Sequence, residues 1–364
     1  MRIAVLANDA TNLYNHRFEL VSALTRAGHQ VEIIAQKQPR YEEFLKLGCT
    51  FVPIVVKRHQ KNPLNDLFLC HTYYKLLKEF YPDAVLTYNI KPNVYGGFAS
   101  RWLGINRLPN ITGLGTAVGY PGILQKITLL LYRLALKKAD TIFFQNEDNL
   151  AFFKKHHLFS GRTVPIILPG SGVNLHRYTP QPYPQGEVRF LFVARILKQK
   201  GIDLFLSAAR KFHTPNITFH VCGPFDSNNY QVKLQQAVQK GWITYHGQQK
   251  DMEPFFKECS CLLHPSWYPE GMSNVLLEAA ATARPAITTN HCGCREIVEN
   301  GVTGFVVPMQ DEKAFLAAVE KFLALPVEKR AEMGRKARAK VEKEFDRNLV
   351  AQAYLNRLEK LQHG

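Results

Sequence analysis

Short runs rich in β-branched residues alternate with longer segments of helical period along the whole chain. Residues 3–7 read as a strand, followed by a helix over about 17–27 that Gly28 ends as a C-terminal glycine does. Residues 31–35 form the next strand and 41–47 a helix closed by Gly48. Then come a strand at 51–55, a long helix near 65–80 and a strand at 84–88. This rhythm predicts a parallel sheet covered by helices on both faces. It pauses at residues 178–186, where Pro180, Pro182, Pro184 and Gly186 break any regular element. It restarts with strands at 190–194, 218–222, 243–246, 261–264, 286–289 and 305–308, a helix from Gly201 and another after Ser273. A charged helix or helix pair closes the chain from about Asp311. The boundary falls near 165–187. The expectation is an α/β protein of two Rossmann-like doubly wound domains facing a central cleft. They span residues 1–170 and 171–344, with a last helix, about 345–364, packing back on the first. Ligands of such sheets bind beyond the carboxyl ends of the strands, so the loops there are where chemistry is sought.

A length of 364 residues exceeds what one core ordinarily organises, and 46% hydrophobic residues suffice for two. The opening apolar run stops at Asn8-Asp9, too short for a secretory signal. The most apolar later stretch, 123–136, is interrupted by Gln125, Lys126 and Arg133 and is too short to span a bilayer. A cytoplasmic protein, soluble or peripheral to the inner face of the membrane, is expected. Seven cysteines, an odd number, fit a reducing compartment. The Cys259/Cys261 and Cys292/Cys294 pairs hold one residue between them where structural zinc usually wants about two to four, so buried free thiols are expected and no metal site.

The net charge of +16 is unevenly spread: residues 1–180 hold 22 Lys/Arg against 11 Asp/Glu, and the remainder 24 against 19. A basic first half implies an anionic partner. No zinc finger, aromatic RNP strand or clear helix-turn-helix accompanies it, which sets nucleic acid aside. An anionic membrane surface is favoured, since each clustered Lys or Arg gains about 1 kcal/mol there. Residues 121–138 could supply an interfacial helix, with Ile123, Leu124, Ile127, Leu130, Leu131 and Leu134 on one face and Lys137-Lys138 after it. Apolar stripes at this spacing usually face a core, so a buried structural helix is the stronger expectation.

The chemistry concentrates in the second half. The run Pro265-Ser-Trp-Tyr-Pro-Glu270-Gly-Met-Ser-Asn-Val-Leu-Leu-Glu278 follows an apolar strand and opens a helix. Ser273 or Asn274 can cap that helix, and Gly271 permits close approach of a ligand. Free backbone N–H groups before a helix N-terminus make an anion site. Two carboxylates there, Glu270 and Glu278, would serve sugar or ribose hydroxyls. The strand at 190–194 runs into Arg195-Ile-Leu-Lys-Gln-Lys200-Gly201, which places two cations on a βα loop of the same domain. They can neutralise a diphosphate as a metal does elsewhere. No Asp-x-Asp metal motif occurs, and no cofactor is implied. A third βα loop carries Gly223. Taken singly, a spaced Glu pair and a basic loop are commonplace; together, after strands of one domain, they form a site.

The ordered set Arg195…Lys200-Gly201, Gly223 and Glu270-x7-Glu278 resembles the C-terminal domain of the family 4 retaining glycosyltransferases, which have the GT-B fold. Gly172-Val173-Asn174, His246-Gly247 and Glu299-Asn-Gly-Val-Thr-Gly304-Phe extend the resemblance. It implies a UDP- or other nucleotide-sugar donor. By that resemblance Arg195 and Lys200 hold the diphosphate, Glu278 the ribose hydroxyls and Glu270 the donor sugar. Gly271, Met272 and Ser273 lend backbone N–H groups, with Gly223, Gly247, Asn274 and Val275 around the donor.

The first domain of this family faces the acceptor. Here the loop after the first strand, residues 8–17, lacks the family's double glycine, but His16 and Arg17 suit an anionic acceptor. If that reading fails, they are a helix-start pair exposed to water. Asn89, Lys91 and Asn93 lie on one later strand-end loop, and Gly113 and Thr116 on another, where many members carry a histidine that this chain lacks. Beside a protein base, the resemblance offers retention by front-face attack, with the leaving diphosphate accepting the acceptor's proton. These loops, with residues 58–63, resemble those of enzymes that extend polyprenyl-diphosphate-linked sugars in bacterial surface-glycan or glycoprotein assembly, an α-1,3-N-acetylgalactosaminyltransferase among them. The implied acceptor is a polyprenyl-diphosphate-linked sugar. Rival readings are a sugar-nucleotide epimerase on the same architecture, a non-catalytic glycan-binding subunit, and transfer to a soluble glycan.

Overall fold

A computed structural model describes residues 1–56, 63–119, 121–226 and 228–363. Residue contacts divide the chain into two units: Met1–Gly172 with Pro269–Met272 and Arg347–Gly364, and Val173–Tyr268 with Ser273–Asp346.

The first unit runs β1 (Arg2–Asp9), α1 (Ala10–Arg26), β2 (Gln30–Gln36), α2 (Tyr41–Lys46), β3 (Thr50–Pro53), α3 (Pro63–Phe80) and β4 (Ala84–Tyr88). It continues through a π-helical turn at Pro92–Gly96, α4 (Gly97–Trp102), β5 (Asn106–Ile111), α5 (Gly115–Gly119), α6 (Ile123–Leu136), β6 (Thr141–Phe144), α7 (Glu147–Lys155) and β7 (Val164–Ile167). Among the described residues its sheet has the order β3-β2-β1-β4-β5-β6-β7, every pair parallel. Ile3 and Val5 point to one face and Ala4 and Leu6 to the other, and both faces are buried. Asn93 sews the middle of the sheet together: its Oδ1 accepts from Thr87 Oγ1 at 2.7 Å and its Nδ2 donates to the Asn110 carbonyl at 2.9 Å.

Two local expectations are corrected here. Helix α1 begins at Ala10, because Asp9 Oδ1 accepts the Asn12 N–H at 2.8 Å as an N-cap. The stretch 8–17, read from sequence as a loop, is therefore mostly helix. Helix α6 does not bury its apolar stripe either. Thr128, Tyr132, Ala135 and Leu136 face the core, whereas Ile123, Leu124, Ile127, Leu130 and Leu134 are exposed and Leu131 is half-buried. The end of α6 is pinned by Arg107, whose Nη1 and Nη2 donate to the carbonyls of Ala135 and Lys137 at 2.6 and 2.9 Å. Residues 58–62 lie outside the described residues.

The second unit runs β8 (Val188–Val193), a 3-10 turn at Lys198–Lys200, α8 (Ile202–Phe212), β9 (Ile217–Cys222), α9 (Gln231–Gln239), β10 (Thr244–Tyr245), α10 (Glu253–Glu258) and β11 (Cys261–His264). After these come α11 (Asn274–Ala281), β12 (Ala286–Thr289), β13 (Gly304–Val307), α12 (Glu312–Ala324) and α13 (Val327–Glu344). The described strands are ordered β10-β9-β8-β11-β12-β13, again all parallel. Three helices close the chain rather than one or two. The last, α14 (Arg347–His363), belongs to the first unit, where Val350, Ala351, Tyr354 and Leu358 join the core beside α1. All seven cysteines are free and buried, and no cluster of three metal-ligating side chains occurs among the described residues.

Arg284 organises the back of the second unit. At 1% exposure its guanidinium donates to five carbonyls, those of Phe256, Lys257, Gln181, Pro182 and Ala283, at 2.8–3.2 Å. Burial pulls its pKa below the usual guanidinium value, but the carbonyl cage keeps the charge satisfied. It clamps the proline-rich entry segment to the end of α10. Replacing Arg284 with Met, similar in length but without donors, leaves five carbonyls, two of them in fully buried bonds, without these donors. We expect a loss of about 3 kcal/mol or more, read as a lower urea midpoint at unchanged slope.

Candidate functional site

In the second sheet the strand order reverses between β8 and β11, and at such a point the loops after the two strands open a crevice. The loops there are the Arg195–Gly201 segment and the segment that begins at Pro265. They meet backbone to backbone. Gly201 sits in the left-handed region at φ 81°, and a Cβ on it would lie 2.1 Å from the Pro265 carbonyl oxygen. The Trp267 N–H donates to the Gln199 carbonyl at 2.8 Å. Gly223, after β9, at φ 144°, has the same necessity: a Cβ there would be 1.8 Å from the Ala194 carbonyl oxygen. Its N–H donates to the Gly247 carbonyl at 2.8 Å, which ties the loop after β10 into the same corner.

The two cations converge on one ring. Arg195 Cζ lies 5.3 Å and Lys200 Nζ 5.1 Å from the centroid of Tyr268. Arg195 also pairs with Asp226 at 2.6 Å. Partial burial works against its charge, but hydrogen bonding to Tyr268 and the Asp226 carboxylate hold its pKa above the ordinary value. Both members of the pair are substantially exposed, so the pair contributes little to stability and a diphosphate can displace it at small cost. Tyr268 and Asp226 were not singled out from sequence. Tyr268 stood in plain view inside the motif, and its signal was an aromatic residue two positions before the glutamate. Asp226 offered none, because its role depends on β9 lying beside β8.

Glu278 stands one turn into α11, half-buried, where the Tyr178 hydroxyl hydrogen-bonds to it. Burial and that carboxylate push the Tyr178 phenol well above its usual pKa. Tyr178 opens the stretch that the sequence offered only as a domain boundary. An Asx turn brings it there: Asn174 Oδ1 accepts from the N–H groups of His176 and Arg177. The cap of α11 departs from expectation. Ser273 occupies the N-cap position, but its hydroxyl makes no cap bond and lies 3.1 Å from His264 Nε2, while its N–H donates to the Gly293 carbonyl at 2.8 Å.

Glu270, Gly271 and Met272 belong with the first unit. The Gly271 N–H donates to the Thr112 carbonyl at 3.1 Å and its carbonyl accepts from Asn146 Nδ2; the Gly115 N–H donates to the Pro269 carbonyl at 3.0 Å. A Cβ on Gly113 would lie 2.7 Å from Gly271 N, and one on Gly170 2.4 Å from Met272 Cβ. The N–H groups of Gly271 and Ser273 are thus already donated. This corrects the expectation of a row of free donors at that turn.

In the first sheet the order reverses between β1 and β4. Arg17, 3% exposed, lies with its guanidinium 5.0 Å from the ring of Tyr88, the last residue of β4. His16 keeps some surface, but its Nδ1 is enclosed without a hydrogen-bond partner. Burial, then Arg347 and Arg17, pull its pKa down to about 3. His16 is neutral at physiological pH and adds no charge for an anionic acceptor, and neither residue is the water-exposed helix-start pair of the alternative reading. Both follow from α1 starting about two turns early. Asn89 holds a left-handed conformation at φ 73° beside that strand end. Lys91 pairs with Asp66 at 2.8 Å, and Asn93 is committed to the sheet. The side chain of Thr116 lies outside the described residues.

Two family descriptions match successive parts of the chain: Glycosyl transferase 4-like over residues 2–146 and Glycosyl transferases group 1 over 180–340. The N,N'-diacetylbacillosaminyl-diphospho-undecaprenol alpha-1,3-N-acetylgalactosaminyltransferase of Campylobacter jejuni is 25% identical over 98% of this chain and 97% of its own length. The UDP-Gal:alpha-D-GlcNAc-diphosphoundecaprenol alpha-1,3-galactosyltransferase of Escherichia coli is 25% identical over 70% of each chain. Among solved structures, sucrose-phosphate synthase from Thermosynechococcus elongatus is similar at a TM-score of 0.83 and 18% identity, over 100% of this chain and 99% of that one. Anabaena Alr3699/HepE in complex with UDP-glucose gives 0.80 at 17%, over 99% and 100%. These structures establish the fold, which is GT-B. With one family description in each half, the chain belongs to the glycosyltransferases that join a glycosyl transferase 4-like module to a group 1 module.

Proposed function

We propose that this glycosyltransferase moves a hexose or N-acetylhexosamine from a UDP-sugar to a polyprenyl-diphosphate-linked sugar, with retention at the anomeric carbon. It would do so in bacterial surface-polysaccharide or glycoprotein-glycan assembly, peripherally at the inner face of the membrane. The observation that carries this reading is the pairing of Arg195 and Lys200 over Tyr268 at the switch point of the second sheet. Two fixed cations there match a nucleoside diphosphate, and near-full-length similarity to a transferase acting on an undecaprenyl-diphosphate sugar supports the acceptor.

In this reading Arg195 and Lys200 stabilise the negative charge that grows on the leaving diphosphate as the glycosidic bond breaks. Their fixed charges do the work of a divalent cation, so no metal is required. Glu278, oriented by Tyr178, takes the ribose hydroxyls. Glu270 holds the donor sugar. With no histidine at residues 110–116, the departing diphosphate accepts the acceptor's proton, which is front-face retention. The basic first half suits an acceptor that carries its own diphosphate.

Arg195→Ala is expected to weaken UDP binding about tenfold to a hundredfold in calorimetry, since it removes a charge-assisted contact. Unchanged UDP affinity would contradict the diphosphate role. Glu270→Ala should abolish turnover while UDP still binds within about threefold of the parent; a parallel loss of UDP binding would move Glu270 from the sugar to the nucleotide. Excess EDTA should leave turnover of UDP-sugar with a polyprenyl-diphosphate sugar undiminished, and loss restored by Mg²⁺ or Mn²⁺ would reject the metal-free site.

A further inference from the structure

Helix α6 is apolar on the side that faces away from the protein. Ile123, Ile127, Leu130 and Leu134 fall within about 60° of one another on a helix that turns about 100° per residue. They are 79%, 51%, 55% and 41% exposed. The opposite side, with Thr128, Tyr132, Ala135 and Leu136, is the buried one. Helices α3 and α4 add exposed Leu64, Leu67, Phe68 and Trp102. The three helices lie side by side. The Trp102 ring meets the Tyr74 ring of α3 at 6.3 Å, and Arg101 of α4 donates to the Leu134 carbonyl of α6 at 2.9 Å. Soluble monomers rarely leave so many large apolar side chains together on one surface.

The charges around this surface say what covers it. Helix α6 contains no acidic residue; Lys126 and Arg133 lie along one flank of its stripe, Lys137 and Lys138 at its end, all exposed. The exposed side of α3 passes from Leu64, Leu67 and Phe68 to His71, Lys75 and Lys78, with Glu79 its one exposed acid. Asp66, near its start, is held by Lys91 and by the Tyr95 hydroxyl at 2.9 Å. An apolar stripe flanked by cations complements the acyl chains and anionic headgroups of a bilayer. A second copy of this chain would bring like cations against each other around a twofold axis. The anchoring of α6 by Arg107 makes the surface a fixed platform rather than a segment that folds on contact.

We propose that the outer faces of α6, α3 and α4 form the surface by which this protein docks on an anionic lipid bilayer. The proposal rests on the reading of a membrane-borne acceptor for its purpose, and it deepens that reading by naming the surface.

The test is flotation of the full chain with vesicles of phosphatidylcholine alone or mixed with phosphatidylglycerol. Turnover of a short-chain, water-soluble prenyl-diphosphate sugar is measured in parallel. Binding to the anionic vesicles is expected and should weaken with salt. The double variant Ile127→Asp/Leu130→Asp should lose flotation, and Lys137→Glu/Lys138→Glu should bind at least about tenfold more weakly. Both should keep the parent melting temperature and the parent rate on the soluble acceptor, because every altered side chain is exposed. Flotation unchanged in both variants would overturn the proposal. So would a dimer in sedimentation velocity that the same variants dissociate while flotation persists. Flotation behaving as expected with no turnover of any prenyl-diphosphate acceptor would leave the docking surface standing and remove the acceptor reading instead.

Discussion

The second unit's site depends on backbone approaches too close for any side chain. Gly201 lies against the Pro265 carbonyl and Gly223 against that of Ala194. The loops after β8, β9 and β11 are thereby pressed into one corner at the point where the sheet changes direction. Without those contacts Arg195 and Lys200 would be two solvated side chains on a mobile turn. With them, the Arg195 and Lys200 side chains converge on the ring of Tyr268, and in the proposed function part of the cost of ordering a diphosphate clamp is met before a ligand arrives. The left-handed φ at Gly201 adds a second reason why no other residue serves there.

The same economy appears in the first unit, where glycines grip the segment that carries Glu270. Gly113 and Gly170 leave no room beside Gly271 and Met272, and the Gly271 N–H is used up in a bond to the Thr112 carbonyl. The short run from Pro269 to Met272 thus takes its contacts from one unit while the residues on either side of it take theirs from the other. Glu270 and Glu278, which the sequence presents as neighbours in one motif, thus fall in different units. Glu278 is instead ordered by Tyr178 from the stretch that enters the second unit.

Much of this was legible in the sequence. The strands at 84–88, 261–264 and 286–289 were read to the residue, because buried parallel strands are short apolar runs bounded by breakers. The positions of Arg195, Lys200 and Glu278 after strand ends followed from the same rhythm. The first-half residues were harder. Whether a polar run such as 8–17 is loop or helix turns on one cap, and Asp9 decided it in favour of helix. As a consequence Arg17 is buried and His16 half-buried with its Nδ1 enclosed.

Helix α6 shows the limit most plainly. Its periodicity identified a helix and an apolar face, but periodicity is blind to which way a face points. Only the packing of Tyr132 and Ala135 into the core, with Arg107 holding the helix end, turned the larger stripe outward. The sequence by itself determined the doubly wound elements, their order and the chemical character of the strand-end loops, because these depend on local period, breakers and residue type. The tertiary structure decided which polar groups remain available: Arg195 poised between Asp226 and Tyr268, Ser273 diverted to His264, Asn93 absorbed by the sheet. Availability depends on partners supplied by other elements of the fold, and the period of a single element does not encode them.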